Sequence, residues 1–434
     1  MKTLESWLEL LEQRHPQEIE LGLQRCGMVF ERLGSPKPAK MVFTVAGTNG
    51  KGSTVAYLAA ISGALGQRHG TYTSPHIFSF NERISIMGEA VSDESLINAF
   101  EQVESVRGDV SLTYFEFTTL AAFLIMQQAG LDCAVLEVGL GGRLDTVNLI
   151  DTDCALITPI GLDHQDYLGP DLSSIATEKA GIIRANTVVV CSEECPPEEI
   201  IQTAQSLSAP VLKRGVDFHL AEEAGALEKS LKFSMAGETI TVPYPAMGGE
   251  HQLDNLAAAL AAMAKQNPAY GLKEVEIGLA VRSCRLPGRL QIVGTAPEII
   301  LDVGHNQLAA MVVADYLNAG NRRKVTCVLA MLADKSVEDV VRALDECCSR
   351  WVCATSPGGR GQTAEKLAVR VQAALPAAEV NISSTLEDAM RDAIAAVGED
   401  ETILVFGSFT TVSAVANWLK NTMQRDSDDA ARIT

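Results

Sequence analysis

The feature that most constrains the fold is an apolar strand that leads directly into a glycine-rich turn and a helix. Met41–Ala46 is the apolar run, residues 47–52 read Gly-Thr-Asn-Gly-Lys-Gly, and Gly52–Gly66 has the length of a helix. Backbone N–H groups and the dipole at such a helix start favour an anion, and Lys51 can reach the outer phosphates of a nucleotide. The pattern therefore predicts a phosphate-binding loop.

The loop departs from the common form of this motif at one position. Gly52 separates Lys51 from the hydroxyls of Ser53 and Thr54, whereas the common motif places Ser or Thr directly after the lysine. A glycine-rich turn that binds no ligand is the alternative interpretation. The correct order of strand, turn and helix favours nucleotide binding.

Short apolar runs alternate with helix-length segments after residue 40. Runs bounded by Gly, Asp or Pro are typical of strands buried on both faces of a parallel sheet. The predicted fold class is therefore α/β, with a mostly parallel sheet flanked by helices. Besides Met41–Ala46, the predicted strands of the first half are Ala134–Val138, Cys154–Thr158 and Thr187–Cys191, and a second predicted helix is Phe117–Ala129.

The pattern changes between residues 228 and 249, and a predicted helix and a predicted domain boundary follow. Alternating residues on both sides of Gly237 predict a small β-hairpin region, and the Ala-rich stretch 252–266 predicts a helix. The segment Arg285–Arg289 breaks the periodicity, which predicts a domain boundary there. We expect one domain at residues 1–286 and a second at 287–434.

The second domain is predicted to be a smaller Rossmann-like α/β unit, because a new series of apolar runs and helices follows the boundary. The last eleven residues, 424–434, are polar and expected to fray. The predicted strands are Ile299–Val303, Val325–Leu332, Trp351–Ala354 and Thr402–Phe406.

Composition excludes some partners. The chain has 35 Lys and Arg against 55 Asp and Glu, a formal net charge of −20, which argues against nucleic acid or an anionic membrane as a partner. No uncharged apolar run approaches the roughly 20 residues that a membrane span needs. The ten cysteines form no C-x-x-C pair. We expect reduced thiols in a cytoplasmic protein, with zinc or disulfides as the alternative.

Three polar positions follow predicted strands or short apolar runs, where open α/β sheets place their ligands. Ser74 follows the first helix and a short run, Glu137 lies at the end of Ala134–Val138, and His164 follows the strand at 154. A nucleotide's Mg²⁺ prefers oxygen ligands, so Glu137 suits it best. For each residue alone, a helix cap or a core hydrogen bond explains the pattern equally well.

Eight motifs occur in one order along most of the chain: Val45–Ser53, Thr73–His76, Glu137–Asp145, Leu162–His164, Glu178–Gly181, Leu286–Arg289, Leu301–Asn306 and Phe406–Ser408. In this order they resemble the Mur-ligase superfamily and, within it, the folylpolyglutamate synthases. Leu112–Glu116 and Asp163–Gly169 resemble the bacterial bifunctional branch, which also acts as dihydrofolate synthase.

The resemblance implies an ATP- and Mg²⁺-dependent ligase. In such enzymes ATP phosphorylates a substrate carboxylate, and the amine of L-glutamate then displaces phosphate. The implied acceptors are dihydropteroate and tetrahydrofolate, and the implied partners are small molecules only. We expect a monomer.

The resemblance also implies roles for individual residues. ATP contacts are implied for Thr48, Asn49, Gly50, Lys51, Gly52, Ser53, Asn255, Arg289 and Asp302. Metal ligands are implied at Ser74, Glu137, His164 and Lys179, and Lys179 matches a lysine that family members carbamylate. The implied catalytic residues are Lys51, Lys179 and His305.

Substrate contacts are implied on both sides of the boundary. For the pterin they are Ile19, Glu20, Leu21, Thr113, Tyr114, Phe115, Glu116, Leu144, Asp145 and Thr146. For glutamate they are Arg83, His305 and Ser408. The sequence departs from the family around His305, with Gly304 where Ala is common and Gln307 where Pro is common, so the turn there is expected to differ locally.

Three alternatives remain open at the level of sequence. The enzyme could be a folylpolyglutamate synthase only, or a ligase of the same superfamily for another carboxylate acceptor. It could also be a nucleotide switch without ligase chemistry, although that leaves the motifs at Lys179 and His305 without a purpose. The sequence does not decide between the two folate acceptors.

Overall fold

A computed structural model describes residues 2–17, 19–223, 229–267, 273–320, 322 and 324–433, with side chains described up to residue 422. The chain divides into two compact units. The first comprises Met1–Ala246 and Gln252–Arg285, and the second comprises Met247–His251 and Leu286–Thr434. The segment Met247–His251 thus belongs with the second unit, although the sequence placed it in the first domain.

The first unit is built on an eight-stranded sheet, whose order is β4-β3-β2-β5-β1-β6-β7-β8. The six strands from β2 to β8 in this order are parallel, and β3 and β4 add an antiparallel edge. The strands are β1 (Ala39–Ala46), β2 (His69–Tyr72), β3 (Ile84–Ile86), β4 (Glu89–Ala90), β5 (Leu131–Glu137), β6 (Cys154–Ile157), β7 (Val188–Cys191) and β8 (Val211–Lys213).

Helices accompany these strands in the first unit. They are α1 (Leu4–Arg14), α2 (Gln24–Arg32), α3 (Lys51–Ala64), α4 (Asp93–Arg107), α5 (Tyr114–Ala129), α6 (Gln165–Leu168), α7 (Leu172–Ala180), α8 (Glu198–Ser206), α9 (His251–Gln266) and α10 (Glu274–Ser283). Two short 3₁₀ helices are Phe80–Arg83 and Thr146–Leu149. The first residue of α9 belongs to the second unit.

Local sequence fixes where helix α5 begins and ends. The Thr113 hydroxyl accepts the Glu116 N–H at 3.1 Å, and the Glu116 carboxylate accepts the Thr113 N–H at 2.7 Å. This reciprocal pair is a capping box. Gly130 ends the helix in the left-handed conformation with a φ of 60°. The capping box therefore fixes two residues of the predicted pterin site.

The predicted hairpin region is a three-stranded antiparallel sheet. Strands β10 (Ser230–Met235) and β11 (Glu238–Pro243) form the hairpin around Gly237, and β9 (Phe218–Glu222) pairs with the other side of β10. The sequence did not predict β9.

The second unit contains a six-stranded sheet with the order β12-β13-β17-β14-β15-β16, parallel except for β12. The strands are β12 (Gln291–Thr295), β13 (Glu298–Leu301), β14 (Val325–Leu329), β15 (Cys348–Ala354), β16 (Glu379–Ser383) and β17 (Thr402–Phe406). The helices are α11 (Gln307–Ala319), α12 (Val337–Leu344), α13 (Ala364–Ala374), α14 (Leu386–Ala396) and α15 (Phe409–Ile433).

The predicted α/β fold class, with its mostly parallel sheets, is confirmed. Helix α15 continues to Ile433 and so includes most of the segment expected to fray. No helix within the described ranges is long and apolar enough to cross a lipid bilayer.

Candidate functional site

The carboxyl ends of four neighbouring parallel strands carry the phosphate loop and three of the predicted metal ligands. In sheet order these strands are β2, β5, β1 and β6. Ser74 follows β2, Glu137 is the last residue of β5, Gly47 follows β1, and His164 lies in the loop after β6. Because parallel strands end at one edge of a sheet, these residues share that edge.

Glycine is required at two positions of the phosphate loop. Gly50 precedes helix α3 with a φ of 87°, and a Cβ there would lie 2.5 Å from Asn255 Oδ1. A Cβ at Gly47 would lie 1.8 Å from the Thr158 hydroxyl oxygen. The side chain of Asn255, from a distant helix, therefore closely contacts the loop backbone.

The first half of the loop is oriented differently from the expectation. The sequence suggested that loop N–H groups face a ligand, but the N–H groups of Thr48 and Asn49 donate to the Pro159 carbonyl at 2.9 and 3.4 Å. The Thr48 hydroxyl and the Gly161 backbone also bond at 3.0 Å. These bonds fix the loop to the segment after β6. The inward donors are expected from the first turn of α3, whose leading N–H groups lack partners within the helix.

Two lysines converge on one carbonyl oxygen of the loop. Lys51 Nζ donates to the carbonyl oxygens of Gly47 and Thr48 at 3.1 and 3.0 Å, and Lys179 Nζ donates to that of Gly47 at 2.7 Å. Burial, with the neighbouring Lys51 ammonium, lowers the pKa of Lys179 to about 7, although Asp163 and Asp145 oppose this change. A substantial fraction of Lys179 is therefore a neutral amine at neutral pH.

Helix α9 supplies a buried polar side chain to the loop. Asn255 accepts a hydrogen bond from the Thr54 hydroxyl at 3.4 Å and donates to Gln252 at 3.3 Å. Gln252 in turn donates to the Ser53 hydroxyl at 3.2 Å. Asn255 is thus held in place, so it has little freedom to move away from Gly50.

Two of the predicted metal ligands are in contact. The Ser74 backbone N–H donates to the Glu137 carboxylate at 3.3 Å, and Glu137 is only 6% exposed. His164 has a φ of 53° and its N–H donates to the Asp163 side chain at 2.8 Å. Glu137 and the Ser74 hydroxyl are hard oxygen donors of the kind that Mg²⁺ binds. As an amine, Lys179 is not such a ligand.

Asp145 is a buried carboxyl group near these residues. It accepts the N–H groups of Leu140 at 2.8 Å and Val147 at 2.9 Å. Burial raises the pKa of Asp145 to about 6, although these bonds and Lys51 favour the ionised form. Asp145 therefore holds the glycine-rich loop after β5.

The predicted pterin residues come together through contacts that the sequence did not reveal. Arg25 pairs with the Glu20 side chain and also donates to Glu116 at 3.0 Å. The N–H of Gly22 donates to the Leu144 carbonyl at 3.4 Å. These contacts bring three separate segments together, namely residues 19–21, 113–116 and 144–146. Ile19 and Leu21 are half-buried, and Thr146 is buried.

Aromatic side chains pack beside this cluster. A Cβ at Gly139 would lie 2.6 Å from the Phe115 ring, so only glycine fits there. Tyr114 contacts Phe80 edge to face at 6.0 Å, and the Arg83 guanidinium lies over both rings. Arg83 Nε also donates to His76 Nδ1 at 3.0 Å. Burial and the adjacent Arg83 charge lower the pKa of His76 to about 4, so this ring is neutral at neutral pH.

The four predicted site residues of the second unit lie near one edge of its own sheet. Asp302 accepts the N–H groups of Leu290 and Gly304 at 2.9 and 2.8 Å, which ties the start of the unit to β13. Burial raises the pKa of Asp302, and the nearby Arg289 opposes this. The other three are Arg289, His305 and Ser408.

The Phe409 ring lies close to two of these residues. The Arg289 guanidinium lies 5.2 Å from its ring centroid, and the His305 ring lies 6.4 Å away. The Ser408 hydroxyl accepts the Thr411 N–H at 3.0 Å and so begins helix α15. Arg83, the third predicted glutamate contact, belongs to the first unit.

The sequence missed Arg25, Gln252 and Phe409, and it gave no role to His76. Each contacts a residue that the sequence predicted for the site. Arg25 is separated by 91 residues from Glu116, and Gln252 by 199 from Ser53, so no local pattern could reveal these contacts. Of these four residues, only His76 had a local signal in the sequence, because it is the last residue of the Thr73–His76 motif.

Two family models match the chain. The Mur ligase middle domain matches residues 45–263, and the Mur ligase glutamate ligase domain matches residues 288–409. The first match contains the phosphate loop and all the predicted metal ligands.

The chain is also similar to individual proteins and solved structures. It is 40% identical to the dihydrofolate synthase/folylpolyglutamate synthase of Escherichia coli strain K12, over 95% of this chain and 94% of that one. An Escherichia coli FolC structure in complex with DHPP and ADP matches with a TM-score of 0.89 and 39% identity, covering 97% and 99% of the two chains. A Yersinia pestis bifunctional folylpolyglutamate synthase/dihydrofolate synthase, complexed with AMPPNP and Mn ion, matches with a TM-score of 0.88 and 39% identity, covering 96% and 98%.

The contact between Gly50 and Asn255 predicts the effect of a single methyl group. Gly50→Ala adds a Cβ that overlaps the Asn255 side chain. Because this displaces the backbone of the phosphate loop, ATP affinity should fall by about tenfold or more. Gly66→Ala is the matched control, because Gly66 has a φ of 78° and no atom within 4 Å of an added Cβ. Both variants should lose roughly 1–2 kcal/mol of unfolding free energy from left-handed strain, and Gly50→Ala should lose more because its Cβ also overlaps Asn255. Urea unfolding with and without MgATP checks this, and wild-type nucleotide affinity in Gly50→Ala would contradict it.

Proposed function

Because this chain belongs to the Mur ligase family, and within it to the dihydrofolate synthase/folylpolyglutamate synthases, we propose that it is an ATP-dependent amide ligase that adds L-glutamate to dihydropteroate and to tetrahydrofolate. The observation that carries the proposal is the phosphate loop, with Lys51 and Lys179 on one carbonyl and Glu137 on the neighbouring strand.

The chemistry explains why ATP is needed. A carboxylate is a poor electrophile, so one of its oxygens first attacks the γ-phosphorus of ATP and releases ADP. The amine of L-glutamate attacks the carbon of this acyl phosphate and loses a proton. The tetrahedral intermediate then expels inorganic phosphate, which carries away the carboxylate oxygen. Catalysis of such steps consists mainly of positioning and charge neutralisation.

We assign the triphosphate to the loop from Thr48 to Ser53, with Asn255 holding the loop backbone in place. Lys51 has a flexible stem, so its ammonium can leave the Gly47 and Thr48 carbonyls and reach the outer phosphates. There it would stabilise the charge that develops as the γ-phosphate transfers. Arg289 and Asp302 of the second unit are assigned to ATP as well.

Ser74, Glu137, His164 and Lys179 would hold the divalent ion. The oxygen donors of Ser74 and Glu137 fit it. When bound, Mg²⁺ neutralises phosphate charge.

Lys179 fits this set only as a carbamate. Its neutral amine can add to CO₂ and release a proton, which replaces a cation by a carboxylate-like oxygen ligand. The lowered pKa of Lys179 supports this assignment, because the reaction needs the deprotonated amine.

We assign the pterin to the cluster formed by residues 19–21, 113–116 and 144–146, where Phe115 and Tyr114 supply flat apolar surface. The similar FolC structure in complex with DHPP supports a pterin site in this fold. Arg83, His305 and Ser408 are assigned to glutamate. An Arg–carboxylate pair can be bidentate, which would fix the orientation of the amine.

We further propose a cytoplasmic monomer. Ten free thiols, nine of them buried, suit a reducing compartment.

The choice of acceptor is tested by ADP release. With MgATP and L-glutamate, both dihydropteroate and tetrahydrofolate should stimulate ADP release, and each product should be one glutamate heavier. Stimulation by tetrahydrofolate alone would mean that the enzyme is a folylpolyglutamate synthase only. Stimulation only by a peptidoglycan precursor would assign another acceptor, and ATP hydrolysis that ignores glutamate would contradict the ligase altogether.

Carbamylation of Lys179 is tested with ¹³C-labelled bicarbonate. The wild-type protein should show a carbamate carbonyl signal by NMR that grows as the pH rises through about 7, because the amine is deprotonated above its pKa. Lys179→Met should lack the signal, and the exposed Lys40→Met should keep it. A wild-type spectrum without the signal at saturating bicarbonate and pH 8, a value well above the lowered pKa, would contradict the assignment.

A further inference from the structure

The loop that carries Ser74 is closed by its own hydrogen bonds. The Thr73 N–H donates to the Arg83 carbonyl at 2.8 Å. The Glu82 carboxylate accepts the N–H groups of Ile77, Phe78 and Ser79 at 2.9 to 3.2 Å. Glu82 is therefore fully engaged by the backbone, although it is the nearest carboxylate to Arg83 in sequence.

Arg83 lies beside two adjacent aromatic rings and forms a hydrogen bond through one nitrogen. Its guanidinium lies 5.2 Å from the Phe80 ring and 5.5 Å from the Tyr114 ring, and its Nε donates to His76 Nδ1 at 3.0 Å. Among the residues that the structure describes, no carboxylate forms an ion pair with Arg83. The residue is 9% exposed, so its positive charge is largely desolvated.

A neutral acceptor differs from a carboxylate in one physical respect. Arginine is always protonated, so the His76 Nδ1 that accepts from it must carry a lone pair. A carboxylate in that position would orient Arg83 equally well but would also cancel its charge. The neutral ring leaves the whole charge, and the Nη donors, for a ligand.

We propose that His76 is a positioning residue, which orients the Arg83 guanidinium toward a substrate carboxylate without neutralising it. The inference rests on the proposed function, in which Arg83 binds the carboxylate of L-glutamate. His76 itself touches no substrate. It fixes the plane of the guanidinium, so that the two Nη groups face a carboxylate together.

Three substitutions of His76 separate orientation from charge. His76→Asn keeps a neutral acceptor near Nδ1 and should hold the KM for L-glutamate within about threefold of the wild type. His76→Leu removes the acceptor and His76→Asp adds a negative charge, so each should raise this KM by about tenfold or more. The KM for ATP should not follow the same order. A merely structural role would treat the isosteric Asn and Asp variants alike.

The control is His219→Leu, at an exposed position on β9, which should leave every KM unchanged. Equal KM values for glutamate in the three His76 variants would overturn the inference. A rise in the KM for dihydropteroate instead would overturn the assignment of Arg83 to glutamate. A wild-type enzyme without glutamate-dependent ADP release would contradict both the proposed function and this inference. If the wild type is active, the KM values of the His76 variants test this inference alone.

Discussion

Two lysine side chains share the carbonyl oxygen of Gly47, at the end of the central strand of the first unit. Burial of Lys179, together with the neighbouring Lys51 ammonium, disfavours the charged form of Lys179 and lowers its pKa to about 7. In the proposed mechanism Lys51 binds phosphate, while the neutral amine of Lys179 is the form that carbamylation requires.

Local positive charge explains how an acidic chain can bind anionic ligands. The formal net charge is −20, yet ATP, the pteroate acceptor and glutamate are all anions. In the proposed site, Lys51 of the loop and Arg83, which lies beside the Phe80 and Tyr114 rings, would provide the local positive charge. The His76 ring and the aromatic rings beside Arg83 are neutral, so these contacts do not compensate its positive charge. Acidic residues elsewhere influence solubility more than binding.

Much of the fold and the site was predictable because its signal is local. The strands at Met41 and Thr402 are continuous apolar runs, and the phosphate loop is one contiguous motif. Strands β12 and β16 were missed because they lie at sheet edges with largely exposed or half-buried faces, which interrupts the apolar run. The contacts of Arg25 with Glu116 and of Lys179 with Gly47 join residues 91 and 132 positions apart, so only the topology creates them. The orientation of Thr48 depends likewise on the distant Pro159.

The central claim is that a substrate carboxylate is phosphorylated before glutamate attacks. It is tested most directly with dihydropteroate labelled with ¹⁸O in its carboxylate. The mechanism predicts that one labelled oxygen per turnover appears in inorganic phosphate, because the bridging oxygen of the acyl phosphate leaves with phosphorus. Product formation with unlabelled phosphate would contradict it.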